Sequence, residues 1–162
     1  AQSESENISH NVAWGKARSA RNGNVFFAYK SFLGYRKGAD GKPEIDPEQA
    51  ATVRRIYTRF LAGRSLQQIA DELTQSGVST PMGKTVWQPG VIQSILSNEK
   101  YKGDFHLQKY YTPENKRKHT RKNNGEVQSY YISENHEPIV SPEVWEKVQE
   151  VREQRKRDRN IG

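Results

Sequence analysis

The sequence predicts an α+β chain, mainly helical, in which a small helical core carries short β-hairpins and helices project at both ends. Three observations predict it. Apolar residues recur at helical spacing behind strong start signals at Asp46-Pro47, Ser65 and Ser141-Pro142. Aromatic segments of extended character lie between them, bounded by Gly and Asn turns. Apolar residues are only 33% of 162, so the core is modest and some helices must lie outside it.

Residues Ser3–Arg21 read as a polar, weakly amphipathic helix. Ile8, Val12 and Ala13 share a face; Glu4 and Glu6 near the start and Lys16, Arg18 and Arg21 near the end suit the helix dipole. The stripe is narrow, so the segment is either frayed or a connecting helix. Asn22-Gly23-Asn24 stops it. The run VFFAYKSFLGY reads as extended, and the Gly38–Gly41 turn pairs Phe32–Lys37 with Lys42–Ile45. Asp46 then caps a helix with Pro47 at its first position and Gln49 three residues on, the spacing of a capping box. Ala50, Val53, Ile56, Tyr57, Phe60 and Leu61 face inward, and Gly63 ends it.

A second capping box, Ser65 and Gln68, opens a helix that buries Leu66, Ile69, Ala70 and Leu73 and stops at Gly77. Val78–Trp87 is a connection of about ten residues. A further helix begins near Gln88 or Pro89 and runs to about Ser97. Val91, Ile92, Ile95 and Leu96 form its apolar stripe, with Gly90, Gln93, Ser94 and Ser97 opposite. From Tyr101 the pattern turns to strand, passes through the polar loop TPENKRKHTRKNNGE and returns as VQSYYIS, a long hairpin with a basic tip. Ser141 and Pro142 open the last helix, with Val144, Trp145, Val148 and Val151 inward; its end, RKRDRN, reads as frayed.

The chain carries 26 Lys and Arg against 19 Asp and Glu, a net charge of +7. This favours a polyanionic partner, nucleic acid or an anionic membrane surface, with nucleic acid preferred. A merely solvated basic face is the alternative. With no cysteine, disulfides and thiol chemistry are excluded. His10, His106, His119 and His136 are scattered without metal-type spacing, so neither metal nor other cofactor is expected. No apolar run approaches the ~20 residues of a membrane span. The N-terminus lacks a signal-peptide layout, and a soluble, cytoplasmic chain is expected.

Catalysis by this chain is not expected. Glu134 and Glu137 lie close in sequence, but nothing converges with them, and no phosphate-cradling Gly-rich motif appears. A helix entering a major groove needs an outer face of short or amide side chains. Gln88, Gly90, Gln93, Ser94 and Ser97 supply one, and Arg64, Ser65, Thr80, Lys84, Thr85 and Lys100 are placed to contact phosphates. Each alone also reads as a solvated surface residue. Lys116, Arg117, Lys118, Arg121 and Lys122 on the hairpin tip, and Arg18 and Arg21, are either phosphate contacts or solvated charge. The core is helix-turn-helix-like, although its connection exceeds the usual three or four residues. Trp87 reads as a core anchor before a stacking residue. Two other readings stay open. One is a protein-interaction module. The other is a single-strand binder stacking bases on Tyr110, Tyr111, Tyr130 and Tyr131.

The ordered series Leu33-Gly34-Tyr35, Ile45-Asp46-Pro47-Glu48, Ala50, Val53, Ile56, Gly63, Ser65-Leu66, Ile69-Ala70, Leu73, Gly77-Val78, Thr80-Pro81, Gly83, Trp87, Ile92, Ile95-Leu96, Asn98, Tyr101 and Gly103 resembles the recombinase domain of large serine recombinases. These are phage integrases and transposases of mobile elements. The resemblance covers about residues 25 to 155 and departs at Leu33, where the family often has proline. It implies a division into a linker helix (1–24), a DNA-binding domain (25–135) and a C-terminal helix (136–162) leading toward a zinc ribbon. The catalytic serine and its arginines belong to a separate resolvase-like domain in the family, so this fragment is expected neither to cut DNA nor to hold zinc. The implied function is sequence-specific binding of duplex DNA at attachment half-sites, with Arg21 and its neighbours along the minor groove. The implied partners are other recombinase subunits or an accessory factor, the fragment alone being monomeric.

Overall fold

The computed structural model describes residues 27–107, 110–111, 121–122, 124 and 130–161; the expected helix at Ser3–Arg21 lies outside them. The elements run β1 (Tyr35–Lys37), β2 (Pro43–Ile45), α1 (Pro47–Leu61), α2 (Leu66–Gln75), α3 (Pro89–Ser97), a 3-10 turn η1 (Glu99–Lys102), β3 (Phe105–Leu107), β4 (Tyr110–Tyr111), β5 (Arg121–Lys122), β6 (Tyr130–Ile132) and α4 (Pro142–Ile161). This is the α+β, mainly helical architecture that the patterning predicts.

Both predicted starts around the first two helices hold, with one difference. Ser65 and Gln68 form a complete box: Ser65 Oγ accepts from the Gln68 N–H at 3.1 Å, and Gln68 Oε1 accepts from the Ser65 N–H at 2.9 Å. At α1 the box is half made. Asp46 Oδ1 accepts from the Gln49 N–H, but Gln49 Oε1 accepts from the Gly34 N–H at 2.9 Å. The Asp46 N–H donates instead to the Gly34 carbonyl. Gly34 is buried at φ +110°, and a Cβ there would lie 2.6 Å from Ile139 Cδ1. Its buried polar groups need partners, and Gln49 and Asp46 supply them.

One apolar cluster joins the helices. Val53, Ile56, Tyr57 and Phe60 of α1 meet Ile69 and Leu73 of α2, Ile92, Ile95 and Leu96 of α3, and Val148 of α4. Trp87 closes it, 2% exposed, donating from Nε1 to the Val78 carbonyl at 2.8 Å. It is the anchor expected, not a stacking surface. The strands are small antiparallel pairs: β1 with β2 (Tyr35↔Ile45), β3 with β6 (Phe105↔Ile132) and β4 with β5 (Tyr110↔Lys122).

Four segments differ from expectation. The run before Tyr35 is not extended; the Ser31 N–H donates to the Ala28 carbonyl, and Phe27 and Phe32 fold back onto Tyr35. Tyr101 opens no strand. Asn98 Oδ1 accepts from the Lys100 N–H and nucleates η1, and the Tyr101 hydroxyl donates to the Leu33 carbonyl at 2.7 Å. That bond seats Leu33, so the departure from proline leaves the turn intact. Within the expected loop, Arg121–Lys122 pairs with β4. The basic end of α4 does not fray. The Arg155 guanidinium stacks 4.1 Å from the Phe60 ring and donates to the Phe60 and Arg64 carbonyls at 3.1 and 3.0 Å. Phe60 lies in the last turn of α1 and Arg64 just beyond its end, so Arg155 ties the end of α4 to the C-terminus of α1.

Gly103 (φ +94°) turns the chain from η1 into β3, and a Cβ there would lie 2.7 Å from the His136 carbonyl oxygen. The clash is with backbone and the conformation is left-handed, so Gly103→Ala should cost about 2 kcal/mol or more in urea denaturation. His136 is wedged edge-on against Phe27 and Tyr35, with Nε2 2.6 Å from the Lys100 carbonyl. Burial lowers its pKa from 6.5 by disfavouring the charged ring. The unfolded chain therefore takes up this proton first as pH falls. The stability from His136 is complete above 6.5 and is lost as pH drops through the folded-state value. An imidazole NMR titration should give a midpoint below 6.5; a midpoint above it would contradict this account.

Candidate nucleic-acid interface

The outer face of α3 is exposed as the spacing predicts. Gly90, Gln93 and Ser94 are open to solvent and Ser97 is half-buried. Ser94 Oγ donates to the Gly90 carbonyl at 3.0 Å, and Ser97 Oγ donates to the Ser94 carbonyl at 3.3 Å. With their protons turned back onto the helix, both hydroxyls offer lone pairs outward and so suit amino groups on a ligand. Gln93 carries both a donor and an acceptor.

α3 has no side-chain cap of its own at the N-terminus, and Asn98 at its C-terminus points forward into η1. Its last carbonyls are held from other elements. The Tyr57 hydroxyl donates to Ile95 at 2.7 Å, Gln149 Nε2 to Leu96 at 2.7 Å, and Trp145 Nε1 to Asn98 at 3.0 Å. Burial pushes the Tyr57 hydroxyl well above the usual phenol range, so it stays a donor.

The turn feeding α3 is locked. Thr80 Oγ1 accepts from the Lys84 N–H at 2.9 Å, and the Thr80 N–H donates to the Lys84 carbonyl. Thr80 is 7% exposed, so it braces this turn and is not a surface contact. Lys84, Thr85 and Gln88 are exposed on it, beside Met82 at 70% and Val86 at 54% exposure. Patterning gave no sign that two apolar side chains would stand out here.

The remaining predicted contacts divide. Ser65 is exposed while its oxygen caps α2. Arg64 is exposed, with Nε 3.7 Å from Glu72. Lys100 is half-buried, its ammonium 5.4 to 5.7 Å from the Phe27, Phe32 and Phe105 rings. It covers the aromatic cluster, which is a poor position for a phosphate contact. Lys122 is exposed on β5; Arg18, Arg21, Lys116, Arg117 and Lys118, and the side chain of Arg121, lie outside the described residues. Of the four tyrosines considered for stacking, Tyr130 is buried. The Tyr131 hydroxyl donates to Asp104 at 2.5 Å; burial first, then this bond, push its pKa up to about 12. The side chains of Tyr110 and Tyr111 are not among those described.

A group missed in the sequence stands beside Gln93. A cleft of about 670 Å³ has Ser65, Gln67 and Gln93 on one side and the basic face of α4 on the other. The signal was present: Arg152, Arg155, Lys156 and Arg159 follow i, i+3, i+4, i+7. Reading the end as frayed concealed it. Among the described residues, no three His, Cys, Asp or Glu side chains group as metal ligands, and no helix is long and apolar enough to cross a membrane.

Comparison with known proteins agrees with this fold. A "Putative DNA recombinase" of Bacillus subtilis (strain 168) is 31% identical over 115 residues, 67% of this chain and 23% of that protein. A crystal structure described as an LSR–DNA complex superposes with a TM-score of 0.60 at 23% identity, covering 89% of this chain and 38% of that one. A structure concerned with sequence requirements of the Listeria innocua prophage attP site gives a TM-score of 0.59 at 24% identity, covering 87% and 50%. The chain thus spans half or less of each of these relatives. The family model described as Recombinase matches residues 47–155, which include all four described helices up to Arg155, and the chain belongs to that family.

Proposed function

We propose that this chain is the part of a site-specific serine recombinase that reads duplex DNA at attachment sites. The observation that carries the reading is the outer face of α3. Gly90, Gln93 and Ser94 are exposed and small or amide-bearing, on a helix whose far end is held by Tyr57, Gln149 and Trp145. Such a face can approach base edges closely and stay in register while doing so. The DNA complex and the attP work named for the two structural relatives support the same direction.

Roles divide along the face. Gln93 has the donor–acceptor pair that matches an adenine edge, and Ser94 accepts from an adenine or cytosine amino group. Lys84 neutralises a phosphate beside the turn that feeds α3. Strand cleavage and subunit assembly belong, on this reading, to portions of the parent recombinase outside this chain. The chain itself acts as a monomeric, cytoplasmic reader with no cofactor.

Selection of binding sites from a randomised duplex library tests the reading. The wild type should enrich one half-site over random duplex; equal competition by both at moderate salt would overturn it. Gln93→Ala should relax preference at one base pair by about 1–3 kcal/mol. Lys84→Ala should weaken all sequences alike and reduce the slope of log affinity against log salt by about 1.

A further inference from the structure

We infer that the basic face of α4 is a second phosphate contact, gripping the duplex whose bases meet α3. This rests on the function proposed above and extends it to residues outside the α2–α3 region.

Geometry begins with the apolar stripe of α4. Val144, Val148 and Val151 continue, at the same spacing, into Arg155. Arg155 is spent internally on Phe60 and Arg64, and Arg152 Nη1 donates to Gln149 Oε1 at 2.7 Å. The two Arg155 bonds, together with Gln149 Nε2 on the Leu96 carbonyl, fix the roll of the helix about its axis. Lys156 and Arg159, one and four positions past Arg155, then face the cleft and are exposed. Gln93 lies on the opposite rim. The cleft also holds Glu153 and Asp158, so four basic groups face two acidic ones and the surplus is positive.

A surface that presents Gln93 to a base edge brings this wall against the neighbouring backbone, since groove and phosphate rim are adjacent on a duplex. A polyanion with regularly spaced charges suits cations one helical turn apart on a single face. Ser65 and Gln67 complete the rim with polar groups of the kind that contact phosphate oxygens.

The test measures salt dependence of binding to a short random-sequence duplex, using the whole chain. Lys156→Ala/Arg159→Ala should lower the slope of log affinity against log salt by about 2, at ~0.9 per phosphate contact, with equal loss on every sequence. Lys147→Ala/Arg157→Ala removes two charges that do not line the cleft and should leave the slope near the wild-type value. Circular dichroism confirms folding of both variants. An unchanged slope in the first variant, or equal flattening in both, overturns the inference. If Gln93→Ala still relaxes preference in that case, only this inference fails. If the wild type binds no duplex, the function proposed above fails and takes this one with it.

Discussion

The structure depends on how α3 ends. A helix leaves its last carbonyls without intrahelical donors, and a buried carbonyl left unpaired costs about 1–3 kcal/mol. At α3 the donors come from Tyr57 on α1 and from Gln149 and Trp145 on α4. Two other elements therefore close on one helix end. The exposed face of α3 is short in contacts of its own, and its orientation is inherited from these bonds and from the apolar cluster beneath. Reading a groove requires side chains held to within a fraction of an ångström, and a helix this short gains that from its neighbours.

A small core also explains where the basic residues go. Lys100 sits over three aromatic rings, Lys102 lies 4.3 Å from the Trp145 ring while pairing with Asp104 and Glu146, and Arg155 covers Phe60. Each lays its aliphatic stem and cation over apolar surface that the 33% apolar composition cannot otherwise cover. Part of the +7 charge is thus architectural, and the share available to a polyanion is smaller than the total suggests. Among the described residues, exposed basic side chains on α4 include Lys156 and Arg159, and Lys84 stands on the turn before α3.

Local signals were the legible ones. Ser65 with Gln68, Asp46 with Pro47, Ser141 with Pro142 and the apolar stripes placed all four described helices, because capping and periodicity act within one turn of the chain. The misreadings involve partners distant in sequence. Gln49 has the spacing of a capping box, but Gly34, fifteen positions earlier, takes its oxygen. Tyr101 has strand character, but its hydroxyl is fixed by Leu33, sixty-eight positions away. The run Arg155–Asn160 lacks apolar residues, and the carbonyls that hold Arg155 are those of Phe60 and Arg64, some ninety positions earlier. For the candidate site, spacing identified the open face of α3 and missed the wall opposite it. The signature residues that revealed the family are mostly interior: Gly34, Tyr35, Trp87, Ile92, Leu96, Tyr101 and Gly103 are all buried. They encode the scaffold, and so they carry little information about what is read.

Gly90 shows what this separation permits. A Cβ built there meets nothing within 4 Å, and the neighbouring Gln93 is likewise turned to solvent. The scaffold therefore places almost no steric condition on this face. A larger side chain at Gly90 would also favour the helix, since glycine in a helix costs roughly 1 kcal/mol relative to alanine. Fold and address are written on different residues of the same nine-residue helix. On the function proposed above, the domain is open to retargeting: new recognition chemistry can be installed on α3 while the bonds that set its pose go untouched.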